Sequence, residues 1–155
     1  MSDCRLDDLR DVPQHGAAVA DRIWNTWWKP DGLPLSAVEA ALDEICLARD
    51  FPFTLVAHAD GQFLGTATAI MTDIQERPQL GPCLAALWVE EHARSRGLGG
   101  ALMQAALARL SALGHPAAFL SAKPHMRHFY LQHGWTLVES DVGEERLDVF
   151  RSALP

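Results

Sequence analysis

Several protein classes are excluded by what this chain has little of. Its three cysteines, Cys4, Cys46 and Cys83, are odd in number, far apart and form no Cys-x-x-Cys pair. That spacing argues against a disulfide scaffold or a zinc knuckle. Thirteen Lys and Arg stand against twenty Asp and Glu, giving a net charge of −7 at pH 7, and the cations are scattered. No nucleic acid is expected as a partner, because phosphate binding needs clustered cations. A cationic substrate fits the balance better, although acidity also serves solubility alone. No apolar run approaches the length of a bilayer span, and the opening stretch lacks the basic and apolar regions of a secretory signal. No membrane partner is therefore expected, and the expected compartment is the cytoplasm.

What is present suits one compact domain over residues 1–155, with 48% hydrophobic residues and enough length to bury about two thirds of the unfolded surface. Residues 4–10 read as a first strand. Pro13 then opens a helix to Trp28, with Val19, Ile23, Trp24 and Trp27 at helical spacing. Two prolines and a glycine between Lys29 and Pro34 break it. Ser36-Ala37-Val38-Glu39 has the form of a capping box, and the helix it would start runs to about Arg49. Phe53–Ala59 and Gln62–Thr72 flank Asp60-Gly61, a dipeptide suited to a two-residue hairpin turn. Cys83–Val89 reads as a strand buried on both faces. Leu98, Leu102, Ala106 and Leu110 mark the apolar face of a helix that Gly114 and Pro116 stop. A strand at Ala117–Ala122, a helix from His125 to His133, and a strand pair at Trp135–Glu139 and Arg146–Arg151 complete the order.

The chemistry concentrates in two segments. In Val89-Glu90-Glu91-His92-Ala93-Arg94-Ser95-Arg96-Gly97-Leu98-Gly99-Gly100-Ala101, an apolar strand meets a helix through an arginine- and glycine-rich turn. Glycines allow close backbone approach, and the N–H groups and dipole of a helix start favour an anion. Taken alone, such a turn is equally an ordinary connection of small residues. Rival nucleotide motifs fit worse: Gly97-x-Gly99-x-x-Leu102 lacks the third glycine of a dinucleotide fingerprint, and no glycine precedes Lys-Ser or Lys-Thr. The second segment is Phe129-Tyr130-Leu131-Gln132-His133-Gly134-Trp135, which holds the chain's only tyrosine.

Together, Arg94-x-x-Gly97-x-Gly99 and Phe-Tyr-x-x-x-Gly-aromatic resemble the GNAT acyltransferase superfamily, which moves an acyl group from coenzyme A to an amine. The resemblance implies an α/β (α+β) fold with a mixed, mostly antiparallel sheet and helices on both faces. It implies acetyl-CoA as cosubstrate, with its pyrophosphate held by the N–H groups of Gly97, Leu98, Gly99, Gly100 and Ala101 and by the charge of Arg94 or Arg96. Leu87 and Val89 would offer main-chain hydrogen bonds to the pantetheine, helped by a bulge or splay of their strand. The Val89 N–H would face the thioester oxygen, and Tyr130 would protonate the leaving thiolate. Phe129 and Trp135 would be packing residues. Where many relatives carry an asparagine this chain has Lys123, and Ser121 is the hydroxyl residue nearby.

The general base is less legible. Leu84–Val89 contains no acid, and Glu90 and Glu91 lie just beyond it; Glu90 is the candidate, set against the ordinary reading of solvated loop carboxylates. Trp27 or Trp28 would touch the acceptor, the others being core. A metal site at His125, His128 and His133 is not expected, since no further ligand stands at suitable spacing, and His133 suits a helix end by its charge. No cysteine occupies an evident nucleophile position, with Cys83 left open, so the amine is expected to attack directly in a ternary complex. The acceptor is a small-molecule or peptide amine of unread identity, and a homodimer is open. The rival readings are a noncatalytic acyl-CoA-binding or sensing module, which would not need Tyr130, and a protein-interaction domain on the same fold.

Overall fold

The computed structural model describes residues 4–155. Seven strands form one mixed, mostly antiparallel sheet in the order β1-β2-β3-β4-β5-β7-β6, with four α-helices. The chain divides into two compact units, residues up to Ala69 with Ala86–Ala105, and Ile70–Ala85 with Ala106–Pro155.

In the first unit, β1 (Arg5–Asp8), β2 (Phe53–Ala59) and β3 (Gln62–Ile70) are antiparallel neighbours. The β2–β3 hairpin forms as its sequence predicts, because Asp60 (φ 51°) and Gly61 (φ 77°) both take the left-handed backbone of a type I′ turn. A 3-10 turn at Pro13–His15 leads into α1 (Gly16–Ile23), and the helix then widens into a π-turn over Trp24–Trp28. The Lys29 N–H closes that turn on the Trp24 carbonyl five residues back, at 2.7 Å. Val19, Ala20 and Ile23 of α1 join Val38 and Leu42 of α2 (Leu35–Leu47) and Val56 and Phe63 in one core, with Trp24, Trp28 and Trp88 packed on its edge.

The capping box does not form. Pro34 takes the N-cap position with an extended backbone, so Ser36 and Glu39 fall inside the helix and no side chain caps its start. At the other end α2 stops at Leu47, two residues before the expected Arg49. There Arg10 donates from Nη2 to the Ile45 carbonyl (2.7 Å) and from Nε to the Ala48 carbonyl (2.9 Å), satisfying groups that a helix end leaves open.

β4 (Cys83–Val89) has the expected bounds but is not buried on both faces: Cys83 and Leu84 are buried, and residues 85–89 are only partly so. Ala86 sits in the left-handed region at φ 52° and breaks the regular pleat. α3 spans Leu98–Ala112, with Leu98, Leu102, Ala106 and Leu110 buried as its spacing predicts.

The second unit contains β5 (Ala117–Ala122), whose Phe119 pairs in parallel with Cys83 of β4. β7 (Leu147–Ala153) lies between β5 and β6 (Thr136–Val142), antiparallel to both. Both last strands run further than the sequence suggests, and Arg146 sits in the turn before β7 with φ 57°. α4 (Arg127–Gln132) follows a 3-10 turn at Pro124–Met126. Among the described residues, no helix is long and apolar enough to cross a membrane.

Candidate active site

The turn from β4 to α3 has the form of an anion cradle. Gly97 stands at φ 81°, a backbone that an L side chain rarely adopts, and the space where a Cβ would project is open for 4 Å. The first intrahelical bond runs from the Ala101 N–H to the Gly97 carbonyl at 3.0 Å. The N–H groups of Gly97, Leu98, Gly99 and Gly100 therefore precede the helical ladder and are the ones available to an anion. Ala101 is a correction to the expected set, because its N–H is already used inside the helix. The donors and the open approach at this turn fit a pyrophosphate.

Arg94 does more than supply charge. Its Nε donates to the Val89 carbonyl at 2.9 Å, and its guanidinium carbon lies 4.7 Å from the centre of the Trp88 ring. The arginine thus braces the end of β4 through a hydrogen bond and a cation–π contact. Arg96 is exposed beside it.

Glu90 is not a solvated loop carboxylate. Arg22 donates to it from Nε (2.9 Å) and Nη2 (2.8 Å), and the Trp88 indole N–H donates to Oε2 at 2.8 Å. Arg22 also pairs with Asp21. The hydrogen-bonded Arg22 guanidinium, more than any other influence, holds Glu90 below the usual carboxylate range; burial, the next largest, pulls the other way without reversing it. A carboxylate so engaged is a poor proton acceptor, so the base role expected of Glu90 is not supported by its surroundings. Glu91 is exposed and keeps the solvated character its position suggested.

Gly65, which the sequence reading did not single out, sets how closely β3 and β4 approach. A Cβ there would stand 2.8 Å from the Trp88 carbonyl oxygen and 3.5 Å from the Val89 Cα. The glycine within an otherwise apolar strand was the available signal. Arg22 carried none, since its partner lies far along the chain.

Of the tryptophans, Trp28 packs against the core and Trp27 is exposed on the π-turn. Trp27 is thus the open aromatic of the pair.

Tyr130 lies on α4 with its ring enclosed by Phe129 (centroids 5.1 Å apart), Phe150 (5.4 Å) and Trp135 (6.4 Å). The residue is buried, and burial pushes its phenol up to about 12. Its hydroxyl has no hydrogen-bond partner among the described residues, yet it is not sealed off as an orphaned buried atom. Trp135 is buried and Phe129 half-buried, as packing residues are. One helical turn before Tyr130, Arg127 donates from Nε and Nη2 to Asp148 at 2.8 and 2.7 Å.

Of the remaining candidates, Ser121 is half-buried on β5 opposite Val149, and Lys123 pairs at the surface with Glu145 at 2.9 Å. His133 Nδ1 lies 2.8 Å from the Phe129 carbonyl at the end of α4. Among the described residues, no three His, Cys, Asp or Glu side chains are grouped to hold a metal. Cys83 is fully buried with its Sγ on the Leu80 carbonyl, and burial pushes its thiol up, away from the thiolate a nucleophile needs.

Comparison with known proteins agrees with the fold. Residues 51–137, more than half of the chain, match the model of the acetyltransferase (GNAT) domain. No curated protein sequence matches the chain. Among solved structures, a GNAT-family acetyltransferase from Streptococcus pneumoniae superposes with TM-score 0.72 at 16% identity, over 99% of this chain and 100% of that one. An aminoglycoside 6′-N-acetyltransferase complexed with coenzyme A gives TM-score 0.76 at 16% identity, over 97% and 98%. A spermidine/spermine N-acetyltransferase from Vibrio cholerae gives 0.69 at 12%, over 97% and 95%. At such identities the structures speak for the fold, and the domain match for the family: the chain belongs to the GNAT acetyltransferases.

Proposed function

We propose that the protein transfers the acetyl group of acetyl-CoA to an amine, the amine attacking the thioester directly. The observation that carries this reading is Tyr130, a buried phenol whose hydroxyl has no hydrogen-bond partner among the described residues. A structural tyrosine ordinarily spends its hydroxyl on a neighbour. A general acid must keep it for the reacting atoms. An acyl-CoA-binding module would have no use for such a group.

Acetyl-CoA would supply the activated acetyl group. The chain's part is to bind the pyrophosphate with the N–H groups of Gly97, Leu98, Gly99 and Gly100, aided by the charge of Arg94 or Arg96. The Val89 N–H is the proposed donor to the thioester oxygen as charge develops there, and Leu87 is the proposed main-chain contact to the pantetheine, with Ser121 a further one. Tyr130 would give its proton to the departing sulfur. The raised phenol keeps that proton in place across the physiological range. The thiol of Cys83, buried and neutral, speaks against a covalent acyl-enzyme.

With Glu90 tied to Arg22, the amine would arrive unprotonated or lose its proton to water. The same ion pair largely cancels the attraction of Glu90 for a cation, so a preference for cationic acceptors would rest on Glu91 and the overall acidity. The related structures include enzymes described as acting on aminoglycosides and on spermidine and spermine, which supports an amine acceptor here. Trp27, exposed on the π-turn, is the proposed aromatic contact to it. The protein is incubated with acetyl-CoA and a panel of aminoglycoside, polyamine, amino-acid and peptide amines, and release of free thiol is followed. Acceptor-dependent release is expected, and none with any amine class would count against the reading.

A further inference from the structure

We propose that Arg127 and Asp148 are positioning residues for Tyr130, fixing on β7 the single helical turn that carries the phenol. This rests on the proposed role of Tyr130 as general acid.

Helix α4 is only six residues long, and a helix that short has no stability of its own in water. Something must fix where Tyr130 points. Arg127 and Tyr130 are three residues apart and share one face of α4. Asp148 and Phe150 are two residues apart and share one face of β7. Two contacts therefore run side by side from one helix face to one strand face. Arg127 grips both oxygens of Asp148 at 2.8 and 2.7 Å, and the Tyr130 ring meets the Phe150 ring at 5.4 Å.

The strand is a firm anchor, because β7 is paired on both sides, with Asp148 opposite Ala122 and Phe150 opposite Leu120 of β5. Asp148 has no solvent exposure, whereas the Arg127 side chain retains 43%. Apolar residues of similar size would hold two elements together at least as firmly as a buried ion pair. What a planar fork adds is a fixed angle and register, since two parallel N–H···O bonds leave the helix little freedom to roll. An acid displaced by an ångström can lose on the order of 10²-fold in rate, so holding the roll of α4 bears directly on Tyr130.

The test uses Arg127→Lys, which keeps the charge and loses the fork, and the double variant Arg127→Met/Asp148→Asn, which leaves no buried unpaired carboxylate. Tyr130 is the only tyrosine, so phenolate absorbance near 295 nm reports that residue alone and needs no acceptor amine. The expected result is a folded protein by circular dichroism, turnover lowered about tenfold or more and a KM for acetyl-CoA within about twofold of wild type. The Tyr130 ionisation should also move from about 12 toward the free value of about 10. Wild-type turnover in either folded variant, or wild-type ionisation in both, would overturn the proposal. Tyr130→Phe is run beside them. If that variant keeps full turnover, the general-acid reading fails whatever Arg127 does. If it is impaired while both Arg127 variants are not, only the positioning proposal fails.

Discussion

Arg22 and Glu90, on α1 and just past the end of β4, are joined by two hydrogen bonds of 2.9 and 2.8 Å that occupy both carboxylate oxygens. This pairing turns the most obvious candidate base into a structural brace that also holds the Trp88 indole. Glu90→Gln should therefore lower stability by about 1–2 kcal/mol, the scale of a partly exposed charged hydrogen bond. Turnover should fall less than about tenfold, well short of the 10²- to 10⁴-fold range of a lost base. Urea unfolding and steady-state kinetics on the same variant check both parts; a loss of turnover in that higher range with unchanged stability would return Glu90 to the role of base.

The contact of Gly65 with the end of β4 gives a second expectation. A methyl group at Gly65 would meet the Trp88 carbonyl oxygen at 2.8 Å and Leu102 Cδ1 at 3.1 Å, and the backbone atom cannot swing aside as a side chain can. Gly65→Ala should destabilise by about 1–3 kcal/mol, as overpacking does, and should slow turnover by shifting Val89. Thermal unfolding and turnover at saturating acetyl-CoA measure the two effects. Wild-type behaviour in both would show that β4 has slack here.

The order of elements was legible because local signals agreed with the global fold. Asp60-Gly61 set its turn, the Leu98 to Leu110 spacing set a helix face, and the bounds of β4 follow from an uninterrupted apolar run. The capping box misled because Ser36 and Glu39 have the right spacing, while the rigid Pro34 had already claimed the N-cap. Among the candidate site residues, the glycine turn and Tyr130 were each visible as a local motif. The partners that define what the site residues can do were not. Arg22 and Glu90 are 68 residues apart and Arg127 and Asp148 are 21, and no short-range pattern reports such pairs. Ala101 was assigned one position too far because the first helical bond is fixed by where the helix begins, which sequence places only to within a few residues.

His15 gives a prediction about pH. It is buried, its Nε2 has no hydrogen-bond partner among the described residues, and its ring lies 5.0 Å from that of His58. Burial, and then the neighbouring His58, hold its ionisation below the ordinary histidine value of 6.5. A group whose folded value is depressed contributes stability that is full above its unfolded value and is lost as pH falls. Stability should therefore decline from about pH 7 downward, and His15→Gln should flatten that part of the curve. Urea midpoints from pH 8 to pH 5 for both proteins provide the comparison, and parallel curves would show that His15 does not contribute.

The anion cradle is tested by Gly99→Asp, which sets a side chain and a like charge at the start of α3. Calorimetry should show acetyl-CoA binding weakened at least about tenfold, or about 1.4 kcal/mol, with circular dichroism unchanged. Unaltered affinity in a folded variant would remove the pyrophosphate from this turn.

Turnover of Tyr130→Phe, measured where chemistry limits the rate, tests the assignment of acetyl transfer most directly. Phenylalanine preserves the packing against Phe150 and Trp135 and deletes only the hydroxyl, with the proton it would donate. Tyr130 should be general acid through a phenol that ionises at about 12, so the wild-type rate should not fall on the alkaline side through pH 10. The variant should lose about 10²- to 10⁴-fold in turnover with little change in acetyl-CoA affinity. Wild-type turnover in the variant, under those same conditions, would contradict the role of Tyr130 and with it the proposed mechanism.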